Sequence, residues 1–301
     1  MPSKDGNAPI PESDGCRMRK NIKNIAASAR ARLLAVAKDS GRDFNSILLQ
    51  YFQERFLYRL SISPYKHNFI LKGALLYLIF EMPRLRPTKD IDFLGTNIDN
   101  SADGIVNMFS DIIRIEENDG VKFAADSLDS ELIKEDADYQ GIRIYCTATL
   151  GNAKRRMQFD IAFGDIIIPN AEMKDFPVLL KNLSVPTLMT YSIESVFAEK
   201  YETIVKLNFA TSRMKDFYDI YFMVNNLTID PDILIKAIKI TFKNRSTDLS
   251  SRSVIYTKEF VNDATNQMQW NAFITRIGSD IALSFKDCVV SIRDFVENVL
   301  K

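Results

Sequence analysis

The apolar positions of this chain change their spacing twice, and that limits the folds open to it. From Ile22 to about Leu60 they recur at helical spacing, with a break at Ser40-Gly41-Arg42. "NFILKGALLYLIFEM" then reads as a strand or turn, Gly73, and a buried helix ended by Pro83. Between residues 91 and 165 the period falls to two, in "IDFLG", "VKFAADSL", "GIRIYCTATLG" and "MQFDIAFGD". The acidic stretch from Asp129 to Asp138 is expected to be a solvated loop or helix between strands. After Pro169 and Pro186 helical spacing returns and continues to Lys301. The fold class this predicts is α+β: N-terminal helices, a mixed sheet with helices, and a helical C-terminal half. The expected divisions are a flexible segment 1–20, helices and core over 21–185, and a helical domain over 186–301.

Composition removes several kinds of chemistry. His67 is the only histidine, so mechanisms that need a histidine pair or a histidine-rich metal site are excluded. Cys16, Cys146 and Cys288 are odd in number and widely spaced, which argues against a disulfide framework or a zinc site. No long uncharged apolar run or apolar leader is present, and a soluble cytoplasmic protein with no membrane partner is expected. With 39 basic and 39 acidic side chains the net charge is zero, so any nucleic-acid contact must be a local patch. Lys66, Lys72, Arg84, Arg86 and Lys89 form one such cluster, and Lys154, Arg155 and Arg156 a second. Solvated surface charge is the competing explanation for each.

The stretch "RLRPTKDIDFLG" places Asp90 and Asp92 on one face of a strand and Ile91 and Phe93 on the other. Like charges at that spacing repel unless a cation lies between them. Hard divalent ions, Mg²⁺ above all, take oxygen ligands and substrate phosphates. "MQFDIAFG" adds Asp160 between Phe159 and Ile161, so neighbouring strands would bring three carboxylates together. Such a set suits two-metal phosphoryl or nucleotidyl transfer.

A lysine in the following helical segment raises a separate question. At about 100° per residue, Ile193, Val196, Phe197, Ile204 and Leu207 share an arc with Lys200 near its middle. Glu199, Glu202 and Lys206 fall on the opposite side. Lys200 is either a structural ion-pair partner or a group reaching a nucleotide phosphate, since an unpaired buried charge is costly. On the second reading, removing it is tolerated or stabilising. In "SRMKDFYDIYFM", Asp216 and Asp219 share the face away from Met214, Phe217, Tyr218 and Tyr221. First-turn acids favoured by the helix dipole are the plain explanation.

"FILKGALLYLIF…RPTKDIDFLG", "QFDIAFGD", "ESVFAEKYETIVKL" and "SRMKDFYDIY" occur in that order and resemble the AbiEii/AbiGii family of nucleotidyltransferase toxins. The resemblance runs from about Ala26 to about Thr247, with "ITFKNRST" closing it. It implies a polymerase-beta-like nucleotidyltransferase core and the toxin half of a bacterial toxin–antitoxin pair, with the antitoxin encoded nearby. It also implies NTP as substrate, and for some members transfer to the tRNA 3′ end. Carried onto this chain, Asp90, Asp92 and Asp160 match the metal-binding acids, and Gly73 the turn that approaches the triphosphate. Lys200 matches the phosphate-contacting or catalytic lysine and Asp216 the acid of the last motif, with Asp219 as the alternative. Lys72, Gly73, Lys89 and Lys200 are the candidate nucleotide contacts. The chain departs from many relatives at Ala74-Leu75, where they carry a second glycine and a Ser or Thr. The expected function is Mg²⁺-dependent nucleotide transfer from an NTP to RNA. The alternatives are transfer to a small molecule or protein hydroxyl, and a nucleotide-binding regulatory module without turnover.

Overall fold

Two helices lead the chain. Helix α1 (Ile25–Asp39) starts at Asn24, and α2 (Phe44–Ile62) at Asp43, whose Oδ2 accepts from the Ser46 N–H at 2.9 Å. Such side chains satisfy the orphan donors of a first helical turn. In the computed structural model the described residues are 24–82, 88–136, 139–278 and 282–301. The expected flexible segment 1–20, Cys16, Arg84 and Arg86 lie outside them.

Helix α2 is buried nearly all round, its polar positions included. Arg59 meets Asp119 at 2.7 Å, Arg55 meets Glu54 at 2.9 Å, and the Tyr51 hydroxyl donates to the Asp119 carbonyl at 2.7 Å. Pairing of this kind is what makes buried charge tolerable.

The strands are β1 (Phe69–Lys72), β2 (Asp90–Gly95), β3 (Val121–Asp136), β4 (Tyr139–Leu150), β5 (Ala153–Phe163), β6 (Glu172–Asp175) and β7 (Thr187–Thr190). Helix α3 (Leu76–Ile79) follows β1, and α4 (Ala102–Ile113) follows β2. Among the described residues they form one mixed sheet in the order β3-β4-β5-β2-β1-β7-β6. β2 runs parallel to β5 and antiparallel to β1, while β1 runs parallel to β7.

Alternation divides the sheet into two unlike faces. Ile142, Ile144, Cys146, Met157, Phe159 and Ile161 point to the buried side. There Phe159 meets Phe56 of α2 at 4.2 Å and Phe109 of α4 at 5.1 Å between ring centroids. Arg143, Tyr145, Gln158 and Asp160 occupy the opposite face and are part-exposed.

Helices α5 (Ile193–Leu207), α6 (Met214–Asn226), α7 (Pro231–Asn244), α8 (Lys258–Val261), α9 (Ala264–Ile277) and α10 (Phe285–Val299) form the rest. None of the described helices is long and apolar enough to cross a membrane.

Two expectations from spacing are corrected. The acidic stretch expected to be a loop or helix is strand as far as Asp136, because β3 follows β4 from Val121 to its end. Helical spacing does not resume directly after Pro169: β6 and β7 intervene, and the Tyr191 N–H donates to the Leu71 carbonyl at 3.0 Å just beyond β7. Both strands span only four residues, too few for a period to register.

Candidate active site

The face of the sheet opposite α2 opens into a cleft between β1, β2 and β5 on one side and α5 on the other. Asp92 stands opposite Lys72 of β1 and Asp160 of β5 in register, so three strands deliver side chains to one row. Asp90, Asp92 and Asp160 converge as the sequence indicated: each offers an oxygen within 4.8 Å of the other two. Thr88 Oγ1 donates to Asp90 Oδ1 at 2.7 Å, which fixes that carboxylate.

Gly73 explains how the cluster fits together. Its φ is +74°, and a Cβ there would lie 1.9 Å from Asp92 Oδ2, so only glycine lets the turn pass this carboxylate. Burial first, and then the charges of Asp90 and Asp160, push the Asp92 carboxyl up to about 7, against a lesser pull from Lys215 and Lys72. Three oxygen donors, mutually repelling and left room by a glycine, fit a hard divalent cation.

Asp160 has a partner that sequence reasoning does not name. Arg143, its cross-strand neighbour, grips it through Nε–Oδ1 at 2.7 Å and Nη2–Oδ2 at 2.8 Å. Gln158 Nε2 also donates to Asp160 Oδ1 at 3.2 Å. Gln158, two residues from Asp160 on one strand face, could have been found from spacing; Arg143 follows only from the β4–β5 register.

Lys200 faces the cleft and is held by two acids, Asp216 Oδ1 at 2.7 Å and Asp219 Oδ2 at 2.9 Å. The structure therefore joins Lys200, Asp216 and Asp219 in one buried cluster, with Arg213 Nε on Asp216 Oδ2 at 2.5 Å. Burial alone would raise the Asp216 carboxyl; the charges of Lys200, Arg213 and Lys215 hold it well below its ordinary range. Asp216 and Asp219, on the helix face away from Met214 and Phe217, are almost fully buried.

Glu199 and Glu202, on the side of α5 opposite the apolar arc, are each ion-paired. Glu199 Oε2 accepts from Lys72 Nζ at 2.8 Å, and Glu202 Oε2 from Arg245 Nη1 at 3.1 Å. Asp165, just past β5, takes Lys72 at 2.9 Å and Arg245 at 2.8 Å. Helix α5 is buried on most of its circumference, so the side opposite the apolar arc is packed as well. Lys72, one of the candidate nucleotide contacts, thus sits in the cleft floor between Asp165 and Glu199. Lys89 is exposed and outside the cleft lining. Lys206, Arg213 and Lys215 line the wall facing the acids, and Ala74 also lines the cleft, beside Gly73.

Comparison with known proteins sets this geometry in context. The sequence model of the family described as "Nucleotidyl transferase AbiEii toxin, Type IV TA system" matches residues 55–291. Among solved structures, JHP933 from Helicobacter pylori shares 13% identity, with 86% of this chain and 93% of that chain covered, at a TM-score of 0.48. A second H. pylori structure, solved as that of a candidate nucleotidyltransferase, shares 12% identity with 86% and 96% covered, at a TM-score of 0.49. No curated protein matches.

Proposed function

Because this chain belongs to the AbiEii family of nucleotidyl transferase toxins, and is a nucleotidyltransferase of toxin–antitoxin type, we propose that it transfers a nucleotide from an NTP to RNA. The acceptor in this reading is the 3′ end of tRNA, and the reaction takes place in the cytoplasm. The observation that carries the proposal is the meeting of Asp90, Asp92 and Asp160 beside Gly73.

These three acids would hold Mg²⁺. An ion held there would supply Lewis acidity to the acceptor hydroxyl and positive charge toward the leaving pyrophosphate. The chain's own residues do the rest. Gly73 leaves the approach to Asp92 open. Lys206, Arg213 and Lys215 face the acids from the helical wall, where a triphosphate between the two would meet positive charge. Lys200 acts by holding Asp216 and Asp219, and through them the start of α6, at the distance the cleft requires. Ala74 supplies no hydroxyl, and in this reading phosphate recognition rests on the cations.

Incubation of the purified protein with each labelled NTP, Mg²⁺ and total tRNA tests the reading. Label is expected on tRNA and is expected to disappear in Asp92→Ala. Label on a protein or small molecule instead would overturn the RNA acceptor, and no transfer to any acceptor would overturn the whole proposal. The toxin role further implies a cognate antitoxin partner, whose co-expression is expected to relieve growth arrest.

A further inference from the structure

The acid cluster lies at one end of a long polar surface on β5, β4 and β3 whose charge changes sign along its length. The rows of cross-strand neighbours can be followed outward from the cleft. The first is Asp160, Arg143 and Glu131; the next is Gln158, Tyr145 and Asp129. Beyond these stand Arg156 with Thr147, and then Lys154, Thr149 and Lys122. Acidic groups dominate near the cleft and cations at the far end, with Lys122, Lys154 and Arg156 all exposed.

Helices α1, α2 and α4 pack on the other side of these strands. On β4 and β5 this face carries polar and charged side chains at every second position from Arg143 to Thr149 and from Lys154 to Asp160, while on β3 Ala124 stands opposite Thr147. At about 3.3 Å per strand residue, Arg156 lies about 13 Å from Asp160 and Lys154 about 20 Å. That length accommodates several stacked nucleotides at about 3.4 Å each.

The middle of the surface is built as a flat plate. The Arg156 guanidinium lies over the Tyr145 ring, 3.7 Å from its centroid, and the Tyr145 hydroxyl donates to Glu131 Oε1 at 2.8 Å. Glu131 also takes Arg143 Nη1 at 3.2 Å, so the tyrosine is tied to the Arg143–Asp160 pair. An arginine plane backed by an aromatic ring is a surface on which an unpaired base stacks. The pairing of Arg156 with Asp129 spans 3.7 Å between side chains 63% and 70% exposed. A pair so exposed is weak and yields readily to a phosphate.

The geometry points to this sheet face as the track for the acceptor strand: a single-stranded RNA end enters over Lys122 and Lys154, stacks on the Arg156–Tyr145 plate, and presents its terminal hydroxyl at Asp160. This rests on the RNA reading above and adds to it where and in which direction the acceptor lies. The sign change fits that polarity. Upstream phosphates meet cations, whereas the reacting end reaches the acids that would hold metal.

The test uses the full-length protein with a short fluorescein-labelled single-stranded RNA, without NTP, over a salt series. Arg156→Ala with Lys154→Ala removes two exposed charges. A control pair, Lys239→Ala with Lys286→Ala, removes two exposed charges elsewhere. The track variant is expected to bind RNA at least about 10-fold more weakly, with the slope of log K against log salt smaller by about 0.7 for each phosphate no longer neutralised. Its NTP affinity and melting temperature are expected to match wild type, and the control pair to leave RNA binding unchanged. Tyr145→Leu is expected to weaken binding about 5-fold or more without altering the salt slope, since it removes stacking support and no charge. If RNA binds and accepts nucleotide while the track variant is indistinguishable from the control pair, the track is wrong and the RNA reading stands. If RNA neither binds nor is labelled while another acceptor is, both fall.

Discussion

At the scale of single residues, Gly73 and Lys200 make opposite demands on the chain. Gly73→Ala puts a side chain at φ +74° and against Asp92 Oδ2. Stability should fall by about 1–2 kcal/mol from the left-handed backbone alone, and transfer should drop below detection because Asp92 must move. Melting and labelled-NTP assays read the two effects. Lys200→Met deprives Asp216 and Asp219 of a shared cation, which lies 2.7 and 2.9 Å from them. A loss of about 3 kcal/mol is expected in urea denaturation, as for other buried pairs broken on one side, whereas the apolar arc alone implies that removal is tolerated. Asp92→Asn behaves in the reverse way. Its carboxyl is raised to about 7 by burial and then by Asp90 and Asp160, so the uncharged variant should be more stable by on the order of 2 kcal/mol at neutral pH, yet inactive. The acids are legible in the sequence because a strand fixes the direction of every second side chain. Arg143 is not, because its importance arises only from the β4–β5 register.

Among elements, α5 shows where pattern reading stops. Its arc of apolar residues is correctly marked by spacing, and Ile193, Val196, Phe197 and Ile204 are buried. Spacing puts Glu199 and Glu202 opposite that arc, but a wheel contains no information about the second layer of packing they meet there. Here that layer is Asp165, Lys72 and Arg245, drawn from segments far apart in the chain. The same network predicts an acid limb in stability. Burial opposes ionisation of Asp165, but Lys72 and Arg245 hold its carboxyl down to about 2 from an ordinary 3.8, and Asp216 is likewise depressed. Carboxyls depressed in the folded state add stability that is complete above their unfolded pKa near 4 and is lost as pH falls through the folded value. Melting temperatures should therefore fall steeply below about pH 4. The slope should flatten in a double variant carrying Asp165→Asn and Asp216→Asn, which begins from a lower plateau. β6 and β7 are the elements that spacing misses outright, at four residues each. Long strands announce themselves; short ones are set by pairing partners that a single sequence does not reveal.

For the molecule as a whole, equal numbers of acids and bases conceal a strong local segregation. Acids gather at β2 and β5, and cations face them across the cleft. Mg²⁺ or Mn²⁺ should therefore raise the melting temperature of wild type, by the equivalent of about 2.7 kcal/mol at a hundred times the dissociation constant. Asp90→Asn and Asp160→Asn should abolish that rise. The order of these features along the chain has a further outcome during synthesis. Asp90, Asp92 and Asp160 have all been made by residue 160, but β7, which pairs with β1, begins at Thr187, and Arg245, which ties the cleft floor together, comes later still. A nascent chain thus carries its acids before it has the wall that faces them. The cleft with both of its walls therefore exists only once the chain has been made as far as Arg245.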